Sequence, residues 1–159
     1  MDTRAGTSRW IVVVMFIITL VFGVIVAPAS HASGGGRAKL IRLINRARDN
    51  RDLHLVRIDS SLSRDALRHT RRMIDRNAIY DPRNLTKILR DEPWDDIGAS
   101  VVGCASSLFK LHKAWMHHAA HRVILMNPKI RRIGIGVIRD SSRNSCGRGW
   151  FWGTELFYG

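Results

Sequence analysis

Residues 115–137 constrain the fold more than any other part of the chain, because they join a group of histidines to an apolar run that glycines interrupt. Pro128 cannot continue a helix, so the helical pattern around the histidines must end before it. After Pro128, residues 133–138 alternate β-branched and small residues, which is typical of a strand. This part of the sequence therefore predicts a helix, a break and a strand in that order.

Amphipathic patterns predict three helices. Apolar residues share one face of residues 37–50, with Arg and Lys opposite, and they are Leu40, Leu43, Ile44 and Ala47. A second helix begins after the capping residue Asp59 and stops near Asn77. Its inward stripe consists of Leu62, Ala66, His69, Thr70 and Met73. Ser106 or Ser107 caps a third helix over residues 108–118.

The remaining segments predict loops and a hairpin. Residues 78–107 contain turn-forming pairs and predict a loop, with at most a short turn over residues 85–89. Residues 150–157 follow a turn and are expected to pair with the strand over 133–138 as an antiparallel hairpin. Their aromatic side chains are expected to pack in the core. Two strands are marginal alone, so helices must cover them.

The N-terminus has the three parts of a secretory signal peptide. Arg4 and Arg9 precede an uncharged apolar run over residues 10–26, and small residues offer a cleavage site after Ala32. The run is near the lower limit of about 17 residues that span a bilayer, so an uncleaved anchor is the alternative. Both interpretations predict a domain outside the cytoplasm, with a leader or anchor in 1–32, a flexible linker in 33–37 and one domain in 38–159.

The two cysteines, Cys104 and Cys146, predict a disulfide. In an oxidising compartment, two cysteines of a small domain are more often a bridge than a metal or catalytic site. The bridge would tie the segment after Gly98 to the C-terminal hairpin. Closing such a loop stabilises a fold by about 4 kcal/mol in the chain-entropy model.

The formal net charge is +13, and a leader that holds Asp2, Arg4 and Arg9 contributes +1 of it, which leaves +12. Such a charge favours polyanionic partners, and for an exported protein these are acidic lipids and anionic wall polymers before nucleic acid. Four arginines share one side of the second helix, a pattern that a solvated face also produces. They are Arg64, Arg68, Arg71 and Arg72. No aromatic residues are interleaved with them, so no stacking platform for nucleic acid is indicated.

Four segments, in this order and at this spacing, resemble the CAP superfamily in its short bacterial secreted form. This superfamily comprises the cysteine-rich secretory, antigen 5 and pathogenesis-related proteins. The segments are residues 43–48, 59–73, 115–137 and 149–159, and the resemblance covers nearly all of the chain after the leader. It implies an α+β fold, an α-β-α sandwich in which helices cover a small antiparallel sheet.

The resemblance also implies a central site. Family members with an intact cavity carry two histidines and two acidic residues across a cleft, and some bind a divalent metal there. These positions correspond here to Asp81, Ala99, His118 and His121. Only His121 keeps the family's residue. Tyr80 precedes the first position, and Glu155 stands where bacterial members usually have glutamine.

Two chemistries remain open at this site. Asp81, His118 and His121 offer one carboxylate and two imidazoles, which suit Zn²⁺ or Fe²⁺ if they converge. Ser100 and His121 would suggest a hydrolase, but no orienting acid or oxyanion donor is evident. Ala99 has no donor, acceptor or charge, which argues against the family's usual chemistry.

The sequence therefore predicts a monomeric, non-catalytic binding domain. Its expected ligands are an apolar lipid in a helix-lined groove or an anionic envelope polymer on the arginine-rich surface. Specific nucleic-acid binding is not expected, zinc is the one cofactor left open, and an uncleaved N-terminal segment would contact the membrane. The binding residues would be Tyr80, Asp81, His118 and His121. The alternatives are a metal-dependent protein or hydrolase at these residues, or an effector that targets a host surface.

Overall fold

The computed structural model describes residues 32–93 and 97–159, so the predicted leader over 1–32 lies outside the described residues except for its last residue. The helices are α1 (Ala32–Asp49), α2 (Ser60–Asp75), α3 (Leu85–Ile88), α4 (Leu108–His117) and α5 (Ala119–Leu125). The strands are β1 (Arg57–Ile58), β2 (Gly98–Ala105), β3 (Arg132–Arg139) and β4 (Phe151–Tyr158). No helix of the described residues is both long enough and apolar enough to cross a membrane.

The strands form one sheet in the order β1-β3-β4-β2. The long strands β3, β4 and β2 are antiparallel neighbours, as predicted for the C-terminal hairpin. The short β1 pairs in parallel with β3, and the sequence did not predict it. Helix α2 covers one face of the sheet, and α1 and α4 cover the other. The predicted α-β-α sandwich is therefore confirmed.

Helix α2 begins and packs as its sequence predicts. The Asp59 carboxylate accepts a hydrogen bond of 2.9 Å from the Leu62 N–H, which caps the helix. The five residues of the predicted inward stripe are all buried. A Cβ at Gly134 or Gly136 of β3 would collide with the backbone of α2. The glycines of the apolar run are therefore needed so that the helix can lie close to the sheet.

Helix α1 begins earlier than predicted. It starts at Ala32 and includes residues 33–37, for which the sequence predicts a linker. Gly36 is buried, and a Cβ there would lie 2.9 Å from Cγ1 of Val137. The first turns of α1 thus lie against the sheet because glycine leaves room for Val137.

Arg48 is an unexpected part of the core. The sequence places the basic residues of α1 toward solvent, but the Arg48 side chain is fully buried. Its guanidinium donates to the carbonyl oxygens of His54, Leu125, Asn127 and Ile130 at 2.7 to 3.3 Å. Burial and the nearby charge of Arg131 lower its pKa. Arg48 therefore fastens α1 to the turn between α5 and β3.

The prediction of a loop up to residue 107 is wrong for residues 98–105. These residues form β2, which pairs with β4 along its whole length. The strand is rich in Gly, Ala, Ser and Cys, so its sequence lacks the bulky alternation that marks a strand. Small residues are needed because Trp115 of α4 lies over Gly103 and Gly153. Its indole Nε1–H donates to the Val102 carbonyl at 2.9 Å.

The predicted disulfide between Cys104 and Cys146 is present. It joins β2 to the loop between β3 and β4, with 6.1 Å between the two Cα atoms. Both cysteines pack against a small cluster formed by Met73, Val102 and Trp152. The bridge therefore fixes the edge strand and the hairpin loop to the face of the sheet that α2 covers.

Candidate functional site

The four positions of the implied central site lie around the edge strand β2. Asp81 follows α2, Ala99 lies in β2, His118 joins α4 to α5, and His121 lies in α5. The predicted third helix ends one residue before His118, which has an extended backbone with ψ of 117°. The break directs α5 away from the axis of α4. It is this break that brings the rings of His118 and His121 together.

Asp81 and Ser100 contact each other directly. The Ser100 hydroxyl donates to the Asp81 carboxylate at 3.0 Å. This hydrogen bond directs the serine hydroxyl toward the Asp81 carboxylate instead of toward His121. The structure therefore pairs two predicted site residues, but not the two that a serine hydrolase would need.

The two histidines form a pair of their own. The rings of His118 and His121 lie 4.4 Å apart between centroids, tilted by 45°. Partial burial lowers the pKa of His121, the neighbouring His118 lowers it further, and Asp81 opposes both effects. His121 is thus close enough to both residues to be influenced by their charges.

The remaining position of the implied site, Ala99, offers a metal no ligand. Ala99 packs in the main apolar cluster of the core. Within residues 32–93 and 97–159, no three His, Cys, Asp or Glu side chains are grouped as a metal ion would require. The carboxylate of Asp81 already accepts from Ser100. Zinc binding by Asp81, His118 and His121 stays a prediction.

Glu155 is an ionisable residue whose environment the sequence did not reveal. It lies in β4 opposite Val101 of β2 and Ile135 of β3, and on the same face of the strand as Gly153. That face packs against α4. Both carboxyl oxygens are buried without a hydrogen-bond partner, and burial raises the pKa of Glu155 well above its usual value. The carboxyl is therefore neutral in the folded protein across an extended pH range.

A cleft of about 570 Å³ lies between α2 and the segment that holds α3. We call it the arginine cleft and define it by its five cationic residues. These are Arg68, Arg72 and Arg76 of α2, with Arg83 and Lys87 on the opposite wall. Asp65 and Asp91 also line it, so the side chains leave a net charge of +3 with His69 neutral.

Three of these cations are unengaged in the described residues. The side chains of Arg72, Arg83 and Lys87 make neither a hydrogen bond nor an ion pair there, whereas Arg68 pairs with Asp65. Arg76 donates to the Tyr80 hydroxyl at 3.2 Å and lies 5.3 Å from the centre of its ring. The cleft therefore contains cations that have partners within the protein and cations that have none among the described residues.

His69 forms the buried floor of the cleft. Its Nε2–H donates to the Tyr80 carbonyl at 2.7 Å, and its ring meets the Tyr80 ring edge-on at 5.0 Å. Burial lowers the pKa of His69, and the nearby Arg72 and Arg76 also lower it. The sequence placed His69 on the inward stripe of the second helix, and its burial is confirmed.

The sequence located the basic helix but not the face of it that lines the cleft. It grouped Arg64 and Arg71 with Arg68 and Arg72, whereas only the second pair lines the cleft. The four-residue spacing of Arg68, Arg72 and Arg76 is the signal that could have identified the face. Arg83 and Lys87 come to this site only through the fold of the loop after α2.

Comparison with known proteins agrees with this architecture. The chain is 27% identical over 111 residues to the uncharacterized Bacillus subtilis protein YkwD, of which it spans only 43%. An outer surface protein of Borrelia burgdorferi has a TM-score of 0.65 at 16% identity, covering 78% of this chain and 92% of its own. A cysteine-rich secretory protein of Staphylococcus aureus has a TM-score of 0.65 at 19% identity, covering 82% of this chain and 40% of its own.

A family model gives the same result from sequence. The model of the cysteine-rich secretory protein family, CAP, matches residues 41–155. The match includes the C-terminal half of α1, all of α2 to α5, the strands β1 to β3 and the first five residues of β4. This chain belongs to the CAP family of cysteine-rich secretory proteins.

Proposed function

We propose that this CAP domain acts outside the cytoplasm, without catalysis, by binding an anionic component of the cell envelope in the arginine cleft. The location is supported by structural relatives described as an outer surface protein and an extracellular protein. The observation that carries the proposal is the cleft itself, where five cations face two carboxylates and three of the cations have no hydrogen bond or ion pair within the part of the chain that the structure describes. Guanidinium groups in such a site bind phosphate or carboxylate with paired hydrogen bonds.

The central site supports binding more than catalysis. Ala99 replaces a charged residue of the family's cleft, and the hydroxyl of Ser100 is turned toward Asp81. In this arrangement Ser100 has no histidine partner, the base that activates the nucleophile of a serine hydrolase. The arginine cleft, by contrast, needs no change to accept an anion.

The first prediction compares two neighbouring arginines. Arg72→Gln and Arg71→Gln remove the same charge from α2, but only Arg72 lines the cleft. We expect Arg72→Gln to weaken binding of poly(glycerol phosphate) about tenfold, because a charge-assisted hydrogen bond is lost. Arg71→Gln should change affinity by less than about twofold. Calorimetric titration of the purified proteins at low and high salt measures both effects.

Other outcomes would contradict the proposal in different ways. Equal losses in the two variants would indicate diffuse attraction by the whole basic surface. Affinity that does not fall with salt would indicate an apolar ligand, because screening acts on charges. In that case the ligand would be an apolar lipid in a helix-lined groove, which is the other ligand that the sequence predicts.

A divalent-metal site or hydrolase at Asp81, His118 and His121 is the second candidate. It is supported by the short distance between the two histidine rings and by the influence of Asp81 on His121. Mass-spectrometric metal analysis of untagged protein should show near-stoichiometric zinc that the variant His121→Ala lacks. Zinc affinity weaker than about 100 µM in calorimetry would exclude this candidate.

A further inference from the structure

Resting on the proposed function, we infer that the ligand of the arginine cleft is a linear phosphodiester polymer that lies along α2. Successive phosphates of the chain would contact Arg68, Arg72 and Arg76. The inference concerns the form of the ligand, since a single phosphate would fill only a small part of a cleft of about 570 Å³. It is carried by the spacing of the cations, by their partners and by the aromatic residue of the cleft.

The spacing of the three arginines suits a repeating anion. Arg68 and Arg72 lie in α2 and Arg76 is the residue that caps its C-terminus, so the three are four positions apart and line the same cleft. Four residues advance an α-helix by about 6 Å. An extended backbone covers at most about 3.6 Å in three bonds, so phosphates separated by six bonds lie about 7 Å apart. Flexible arginine side chains can absorb the difference of about 1 Å, and a three-carbon linker between phosphates therefore matches the row.

The cations of the opposite wall suit an extended ligand that lies along the cleft better than a single anion. Arg83 and Lys87 face the row from the segment around α3, and their side chains make no hydrogen bond or ion pair within the described part of the chain. Asp65 and Asp91 interrupt the positive lining. A polymer with separated charges can place its neutral linkers beside these carboxylates. A dense polyanion would meet them with unfavourable contacts.

The aromatic residue of the cleft argues against nucleic acid. Stacking of bases needs an accessible ring face. One face of Tyr80 lies beneath the guanidinium of Arg76, and His69 contacts the ring edge-on. Among the described residues, the cleft thus offers cations for a backbone and a tyrosine ring with one face already covered, and this favours a phosphodiester chain without bases.

A length series tests the inference. Purified protein is titrated with glycerol phosphate oligomers of one, two, three, four and eight repeats. We expect affinity to rise about 100-fold from one to three repeats, because each linked phosphate binds at high effective concentration. Affinity should then level off, since the row on α2 holds three arginines. In the variant Arg76→Gln, affinity should level off at an oligomer that is one repeat shorter. The off-cleft variant Arg64→Gln should leave the dependence of affinity on length unchanged.

The outcomes separate this inference from the proposed function. If Arg72→Gln weakens binding but the affinity is independent of length, the cleft binds single anions and the polymer inference is wrong while the proposed function stands. If Arg72→Gln and Arg71→Gln behave alike, the proposed function itself fails. Tighter binding of an oligonucleotide with the same number of phosphates would overturn the inference in favour of nucleic acid.

Discussion

Two buried ionisable residues of this domain differ in whether they have hydrogen-bond partners. Arg48 is fully buried, but its guanidinium donates to four carbonyl oxygens. Glu155 is equally buried, and neither of its oxygens has a partner. A buried polar group without a partner costs about 1 to 3 kcal/mol, whereas a satisfied one does not. Arg48 therefore supports the fold, and Glu155 destabilises it when ionised.

The contribution of Glu155 to the stability of the domain should decrease as pH rises, whereas the lowered pKa values of His69, His112 and His121 act in the opposite direction. The Glu155 carboxyl has an ordinary pKa of 4.5, and burial raises this pKa in the folded state. The folded state therefore holds its proton more strongly, and the stability gained by protonation is fully present below pH 4.5. It is lost as the pH rises through the higher folded pKa. Urea unfolding at about pH 5 and pH 8 measures this difference.

The variant Glu155→Gln tests the origin of this dependence. A neutral amide of similar shape removes the ionisation, so the free energy of unfolding at about pH 8 should increase, on the order of 1 kcal/mol. The part of the change in the free energy of unfolding between about pH 5 and pH 8 that Glu155 causes should become smaller. Asp49→Asn, at an exposed position of α1, serves as the control. If Glu155→Gln and Asp49→Asn show the same pH dependence, the carboxyl is not the source.

At the level of elements, α2 connects the fold to the proposed site. Its buried stripe packs on the sheet, and the Thr70 hydroxyl oxygen lies 3.0 Å from the Gly136 carbonyl oxygen and 2.9 Å from the Thr154 hydroxyl oxygen, within hydrogen-bond distance of both. Its other side carries the three arginines of the cleft. The position of this row is therefore set by how closely the helix approaches β3.

Gly136→Ala should disturb that approach. The added Cβ would collide with the α2 backbone at Ala66 and Leu67, so we expect a loss of about 1 to 3 kcal/mol in the free energy of unfolding. Gly34→Ala adds the same atom where nothing lies within 4 Å, in a helix that alanine favours. It should be neutral or slightly stabilising. Denaturant titration of both variants checks this, and equal effects would disprove close packing at Gly136.

At the level of the whole molecule, the disulfide links two parts of the chain that are far apart in sequence. Cys104 and Cys146 are 42 residues apart, and the bridge joins the edge strand to the hairpin loop. We expect the double variant Cys104→Ala with Cys146→Ala to lose about 4 kcal/mol of stability. Thermal unfolding of wild type, with and without reductant, gives the comparison. If reduction leaves the unfolding temperature of the double variant unchanged but lowers that of wild type, the loss comes from the bridge.

The sequence by itself determined the elements whose patterns are local. Helix α2, its Asp59 cap, the strand β3, the hairpin with β4 and the pairing of Cys104 with Cys146 all follow from periodicity, capping chemistry and cysteine number. The family resemblance added the order of the layers. These features depend on neighbours along the chain, so the sequence contains their signal.

Only the tertiary structure decided the rest, because it depends on contacts between distant residues. Strand β2 has no bulky alternation, since its small residues make room for Trp115. Arg48 belongs to the basic residues that the sequence places toward solvent, and no local pattern indicated the burial of Glu155, so only the packing of the layers buries both. The arginine cleft joins residues of α2 to Arg83 and Lys87 across a loop. A charge pattern shows how many cations a chain holds, but the fold decides which of them face one another.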